Sequence, residues 1–365
     1  SLNFTGGTMT SVSTEEIIPP NHQRQWEGAA PFNCGSVAGG FALINNHIEA
    51  LGTGVHCDDA EANHALGTDY TLVRNLFTVK PEKIWSLAGS NKLQYAMRQQ
   101  FEMKNGKRVK IRGNIFEKVY YDKTSVAVAV ALSGTPGPPG TQISDVEIGY
   151  NIFRNASGTF SVLGGRQQHS NADLRAPVAP LQRVWIHNNL AYDINNYIYR
   201  GKTAGEPPIP LTDHRYSIED LRFEHNTIHD VRSTTGQIMG FAQQPIEGFR
   251  VADNLLWVNG NNVFSSDECY PTSCSGQQGI TLLNRYVHNL QWVNNTLIAG
   301  WTDETGMTAR SSKTHITDNM TGAAASDVYL QSEMAGEVEW ANTATGDLRL
   351  KPGGSHKSGG AKRAS

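Results

Sequence analysis

The sequence predicts an all-β chain wound as a right-handed parallel β-helix, a solenoid of about nine coils with long loops on one side. Three observations predict it: an Asn that recurs at one register, alternating apolar pairs just ahead of each Asn, and a composition that disfavours helix. Of 365 residues, 38% are apolar and 18% charged, and 36 are Gly. Low charge and 31 aromatic residues argue against disorder. A net charge of -3 predicts no broad footprint for nucleic acid, and no apolar stretch reaches membrane-spanning length.

The repeat is clearest in Arg108-Val-Lys-Ile-Arg-Gly-Asn-Ile-Phe116, which returns in form as Asp145–Phe153, Arg183–Ala191 and Asp220–Ile228. Weaker copies sit at 40–48, 69–77, 248–256, 289–297 and 313–321. The aligned Asn are Asn46, Asn75, Asn114, Asn151, Asn189, Asn226, Asn254, Asn295 and Asn319, spaced by 24 to 41 residues. Five and three residues before them sit apolar pairs such as Val109/Ile111, Val146/Ile148 and Val184/Ile186. Alternation with period two is a strand with one buried face. The Asn marks a turn, and an apolar residue returns two positions later (Ile48, Phe77, Phe116, Phe153, Ile228, Leu256, Leu297).

A further strand follows in most copies, with Val55, Phe160, Ile198 and Val263 nine residues after the Asn. Ile238 fits with three extra residues, and counting alternation from these places His56, Ser161, Tyr199 and Met239 outward. A propeller has repeats of similar length, but its blades need hairpin turns, and Asn-Gly pairs are nearly absent. One Asn at one register fits stacked coils, where identical amides hydrogen-bond up a column. The organisation expected is an irregular N-terminal cap over 1–36, the β-helix over 37–330, and a C-terminal cap and polar tail over 331–365.

The segment Phe101-Glu-Met-Lys-Asn-Gly-Lys-Arg-Val-Lys-Ile-Arg-Gly-Asn-Ile-Phe-Glu117 and the block Ile186-His-Asn-Asn-Leu190 resemble the right-handed parallel β-helix proteins of the pectate-lyase-like superfamily. More closely, they resemble secreted β-helix proteins of soil acidobacteria. The resemblance covers most of 37–320. It implies the fold strongly and the activity weakly, because that superfamily includes lyases, glycoside hydrolases, esterases, phage spikes and adhesins.

Long repeats carry insertions after the further strand, and insertions at one register emerge on one side of a solenoid. Candidate substrate-binding residues at these strand ends and loops are His56, Arg166, His169, Tyr199, Asp267 and Glu268. The densest cluster, His56 to His64, contains the pair Asp58 and Asp59, which can hold Ca²⁺ through oxygen ligands or divide into acid and base. The pair resembles that of polygalacturonases, without their Gly-His-Gly and Arg-x-Lys elements. Arg200 and Lys202 suit eliminative cleavage of a uronic acid, in which superfamily lyases use Arg or Lys. Asp58, Asp59, Arg200 and Lys202 are therefore the catalytic candidates, against the simpler reading of solvated loop and strand-end charges. The outward row of the first strand reads Lys110, Arg112, Glu147, Trp185, His187, Arg222, Glu224 and Arg250. It is either a solvated sheet face or, through Trp185, a place for a sugar ring to stack.

Cys269 and Cys274 bracket a short loop that a disulfide can close, and Cys34 and Cys57 are 23 residues apart, about one bare coil. Four buried thiols are the alternative. The chain opens at Ser1 and closes in a polar tail, which reads as processed or cut at both ends. Low charge, Asn/Gly-rich composition and disulfides together predict an extracellular or surface protein acting on or binding polysaccharide. The enzyme form is a lyase or hydrolase for an acidic or plant-type glycan. The non-catalytic form is an adhesin or fibre component that binds glycan or self-associates.

Overall fold

The computed structural model describes residues 2–5, 8–11, 32–33, 40–50, 53–57, 67–79, 99–119, 128–133, 142–163, 179–202, 218–229, 237–242, 246–257, 262–265, 287–299, 328–330, 340–342 and 347–350. These residues form a parallel β-helix. One coil illustrates the rest: strand Gly106–Arg112, a corner at Asn114, strand Ile115–Val119, then strand Val128–Ser133. The next coil begins at Ile143–Gly149, which pairs in parallel with Gly106–Arg112. Parallel pairing between successive coils excludes the hairpin-linked blades of a propeller.

The first face is a nine-stranded sheet running from Leu2–Thr5 through Phe41–Ile44, Leu181–His187 and Ile246–Ala252 to Val287–Val293. The second and third faces belong to one sixteen-stranded sheet. They are joined because strands Ile152–Leu163 and Leu190–Lys202 run through the corner between them. The single antiparallel pair among the described strands is Trp340–Asn342 with Asp347–Leu350, within the segment expected to cap the C-terminus.

The apolar pairs do point inward. Val109, Ile111, Val146, Ile148, Val184 and Ile186 are all buried in one core, as are Phe41, Leu43, Leu221, Phe223, Phe249 and Val251. Tyr70 and Leu72 supply the same pair in the weak copy ahead of Asn75. After the Asn corner, Phe77, Phe116 and Phe153 stack ring on ring, with centroids 4.6 and 5.1 Å apart and interplanar angles of 12° and 5°. Identical side chains one coil apart lie about 4.8 Å from each other, so aromatic columns arise from the repeat itself.

The column of Asn is fully built from Asn46 to Asn295; Asn319 lies outside the described residues. Each Asn from Asn46 to Asn254 donates its backbone N–H and its Nδ2 to the Oδ1 of the Asn one coil on, as Asn151 does to Asn189 at 2.9 and 3.1 Å. The Nδ2 also donates backwards to a strand carbonyl of the previous coil, as Asn151 does to Ile111 at 2.9 Å and Asn189 to Ile148 at 2.9 Å. Each interior amide therefore donates two bonds and accepts two, which removes the penalty of burying it.

The residue before each Asn carries the bend. Asn45, Arg74, Gly113, Tyr150, Asn188, His225, Asp253 and Asn294 all have φ between 50° and 66°. A second left-handed column opens the first-face strands at Asp69, Arg108, Asp145, Arg183, Asp220, Gly248 and Asn289. A left-handed L-residue costs roughly 1–2 kcal/mol, so corners are where Asn, Asp and Gly collect. The corner amides are not wasted: Tyr150 N–H donates to His187 O and Asn188 N–H to Glu224 O, at 3.2 Å each.

Candidate functional site

Two outward rows carry chemistry. The first lies on the third face, where the sequence placed its strand-end candidates. Strand register runs His56–Glu102–Ala131–Ser161–Arg200–Gly240. Tyr199, counted outward in the sequence, instead shares the register of Phe160, and Met239 shares that of Tyr199. The cause is one additional residue at the corner: Ala156 pairs with Ile194, but Gly158 pairs with Tyr197. That insertion reverses the parity of the strand beyond it. Arg200 thereby shares the register of Ser161, and Lys202 pairs with Ala242.

Glu102 was not singled out in the sequence. Its carboxylate is buried and lies 3.5 Å from His56 Nε2. Its signal was the alternation Gln-Phe-Glu-Met, with Phe101 in the core column. Ala131 and Ser161 follow it, and both are buried. A row that is closed at its centre does not offer an open track for a polymer. Asp58, Asp59, Arg166, His169, Asp267 and Glu268 lie outside the described residues, so the candidate acidic pair and loop groups join no geometry here. Among the described residues, no group of three His, Cys, Asp or Glu is placed to hold a metal ion.

The second row lies on the first face and is open at Trp185, which is 40% exposed. Register runs Lys110–Glu147–Trp185–Arg222–Arg250 in one line and Arg112–Gly149–His187–Glu224 in the next. Trp185 stacks on His187, centroids 3.6 Å apart and planes 17° apart. Its indole Nε1 donates to Glu224 Oε2 at 2.9 Å. Glu224 in turn accepts from Arg250 Nε at 2.7 Å.

His187 is the support beneath this arrangement. It points outward yet is only 2% exposed. Tyr150 meets its edge at 5.3 Å and 85°, and Arg112 lies 4.5 Å over the Tyr150 ring. Glu147 Oε1, an acceptor only, lies 3.3 Å from His187 Nε2, so that nitrogen carries the proton. Asn188 Nδ2 then donates to Nδ1 at 2.8 Å. One tautomer satisfies both ends of the ring. The hydrogen bond from His187, with the nearby Arg112 and Lys110 charges, holds the Glu147 carboxyl below its ordinary range despite partial burial.

Below this platform runs a column of alternating charge in the left-handed residues. Arg108 bonds Asp69 through two nitrogens at 2.6 and 2.7 Å, and Arg183 bonds Asp145 at 2.6 and 2.9 Å. The next left-handed residue, Asp220, is bonded instead by Arg222 of the outward row, two residues on in its own strand, at 2.9 and 3.2 Å. The Arg108 and Arg183 hydrogen bonds hold Asp69 and Asp145 down to about 2.

Comparison with protein-family models, curated proteins and solved structures finds no match. The fold, a parallel β-helix, therefore rests on strand pairing and register.

Proposed function

We propose that the chain is an extracellular glycan-binding β-helix of the pectate-lyase-like kind, with the Trp185 face as its contact surface. The observation that carries this reading is an exposed indole locked flat on a rigid sheet and ringed by polar groups. Sheet-borne groups are held without loop ordering, so binding costs little reorganisation. Aromatic faces with adjacent hydrogen-bonding groups are what amphipathic, hydroxyl-rich rings require.

The same geometry favours binding over cleavage on this face. A glycosidase needs one carboxyl protonated near neutral pH. Glu147 is held ionised, and Glu224 is committed to Arg250 and Trp185. The enzyme reading depends on Asp58, Asp59, Arg200 and Lys202, none of which has a described side chain. For location, Cys57 is buried at the end of strand Val55–Cys57, and a disulfide there would require an oxidising compartment. We propose Cys34 as its partner, because the strand register pairs Phe32 with Val55 and Asn33 with His56.

The test is a polysaccharide panel read by affinity electrophoresis, ultraviolet absorbance and reducing ends, with Trp185→Ala beside the parent chain. Retardation that Trp185→Ala abolishes, without product, is the expected result. Product from any glycan would overturn the binding-only reading, and no retardation by any glycan would overturn the surface.

A further inference from the structure

Resting on that reading, we infer that the Trp185 platform is a single-ring subsite for a neutral pyranose and rejects uronic acids. Charge around the indole sets this choice. Its two register neighbours are Glu147 on one side and Arg222 on the other.

The guanidinium groups nearby are already engaged. Arg222 is bonded to Asp220, Arg250 to Glu224 and Gln291, and Arg183 to Asp145. Arg112 lies over Tyr150 and 3.8 Å from Glu147. A sugar carboxylate would have to break one of these pairs to gain a guanidinium, and Lys110 stands beyond Glu147 in the register row. Glu147 opposes it directly, since its carboxyl is held ionised and like charges in close register repel. For a neutral sugar the same carboxylate is an asset, because an ionised carboxylate accepts hydroxyl hydrogens and donates none.

Ring count follows from the row. One face of the indole is taken by His187. The neighbouring positions along the solenoid axis are Lys110, Glu147, Arg222 and Arg250, none aromatic. Only one ring can stack, so a longer oligosaccharide gains no second platform. A site with one stacking face and a few exposed hydrogen bonds binds on the order of millimolar.

The experiment is saturation-transfer NMR with titration of methyl β-glucoside, a neutral glucose trisaccharide and hexasaccharide, and trigalacturonate at neutral pH. The three neutral sugars should bind within about threefold of one another, and Trp185→Ala should weaken them at least about tenfold. Trp185→Phe, which keeps an aromatic face, should retain measurable binding, and thermal unfolding should show both variants folded. Trigalacturonate should not bind the parent chain but should bind Glu147→Gln, in which the neutral sugars weaken, because the amide is a poorer acceptor for their hydroxyls than the carboxylate. Trigalacturonate binding at Trp185 in the parent overturns the neutral specificity and leaves the glycan surface standing. Affinity that climbs steeply with chain length overturns the single ring. No sugar binding, or binding unchanged in Trp185→Ala, overturns the surface itself.

Discussion

His187 lies directly over Gly149, one coil away: a Cβ built on Gly149 would stand 2.6 Å from His187 Nε2 and 2.8 Å from its Cε1. No real methyl tolerates that approach, so the missing side chain is what lets the imidazole sink to the sheet and carry Trp185. Gly149→Ala should lift His187, break its bond to Glu147 and loosen the indole. Overpacking of this kind costs roughly 1–3 kcal/mol. Near-ultraviolet circular dichroism and Trp emission should change in parallel with a lower unfolding midpoint. An unaltered near-ultraviolet spectrum would mean that His187 does not set the indole.

The Asn column makes a sharper stability prediction. Replacing Asn189 by Leu removes the acceptor for the Asn151 backbone N–H and Nδ2 and the donor to Ile148 O, all in the core. Each buried group left unpaired costs about 1–3 kcal/mol, so a loss of about 3–6 kcal/mol is expected in denaturant unfolding. A loss below about 1 kcal/mol would show that the column relaxes or rehydrates.

These columns were legible in the sequence because stacking repeats a requirement. Each coil needs an amide at one corner and two apolar residues ahead of it, so one pattern recurs eight times among the described residues, from Asn46 to Asn295. What was not legible depends on a pair of coils rather than on one. His187 reads as an exposed strand residue until Gly149 and Tyr150 of the preceding coil are laid beneath and beside it. The register that pairs Tyr199 with Phe160 is hidden until the corner insertion between Ile194 and Tyr197 is aligned against Ala156 and Gly158. Counting within a strand cannot detect an insertion that only the neighbouring strand reveals.

His229 gives the fold a pH dependence. Desolvation lowers it from its ordinary 6.5 to about 4. A histidine kept neutral in the folded chain takes up its proton on unfolding. Its stability is therefore whole above about pH 6.5, falls as pH drops towards 4, and is spent below that. The full amplitude is at most about 3 kcal/mol, discounted by the ring's partial exposure. Unfolding curves across this window should show the parent chain losing stability relative to His229→Gln. Parallel curves would place the ring in water.

The proposed Cys34–Cys57 bond makes a prediction about the N-terminal strands. Cys57 ends strand Val55–Cys57, and the register with Phe32–Asn33 stops one residue short of Cys34. If these two sulfurs are joined, the bond closes a loop of 23 residues, which in the chain-entropy account contributes about 3 kcal/mol. It also fastens the segment at Phe32–Asn33 to strand Val55–Cys57, with which it pairs through only two residues. Alkylation in denaturant without reductant should leave Cys57 unmodified. Cys34→Ala and Cys57→Ala should each lower stability by about 2–4 kcal/mol, and the double variant by no more than either, because both remove one bond. Reductant should bring the parent chain down to the level of the variants. Should Cys57 stay blocked in Cys34→Ala, its partner is Cys269 or Cys274, and the N-terminal segment is held by strand pairing alone.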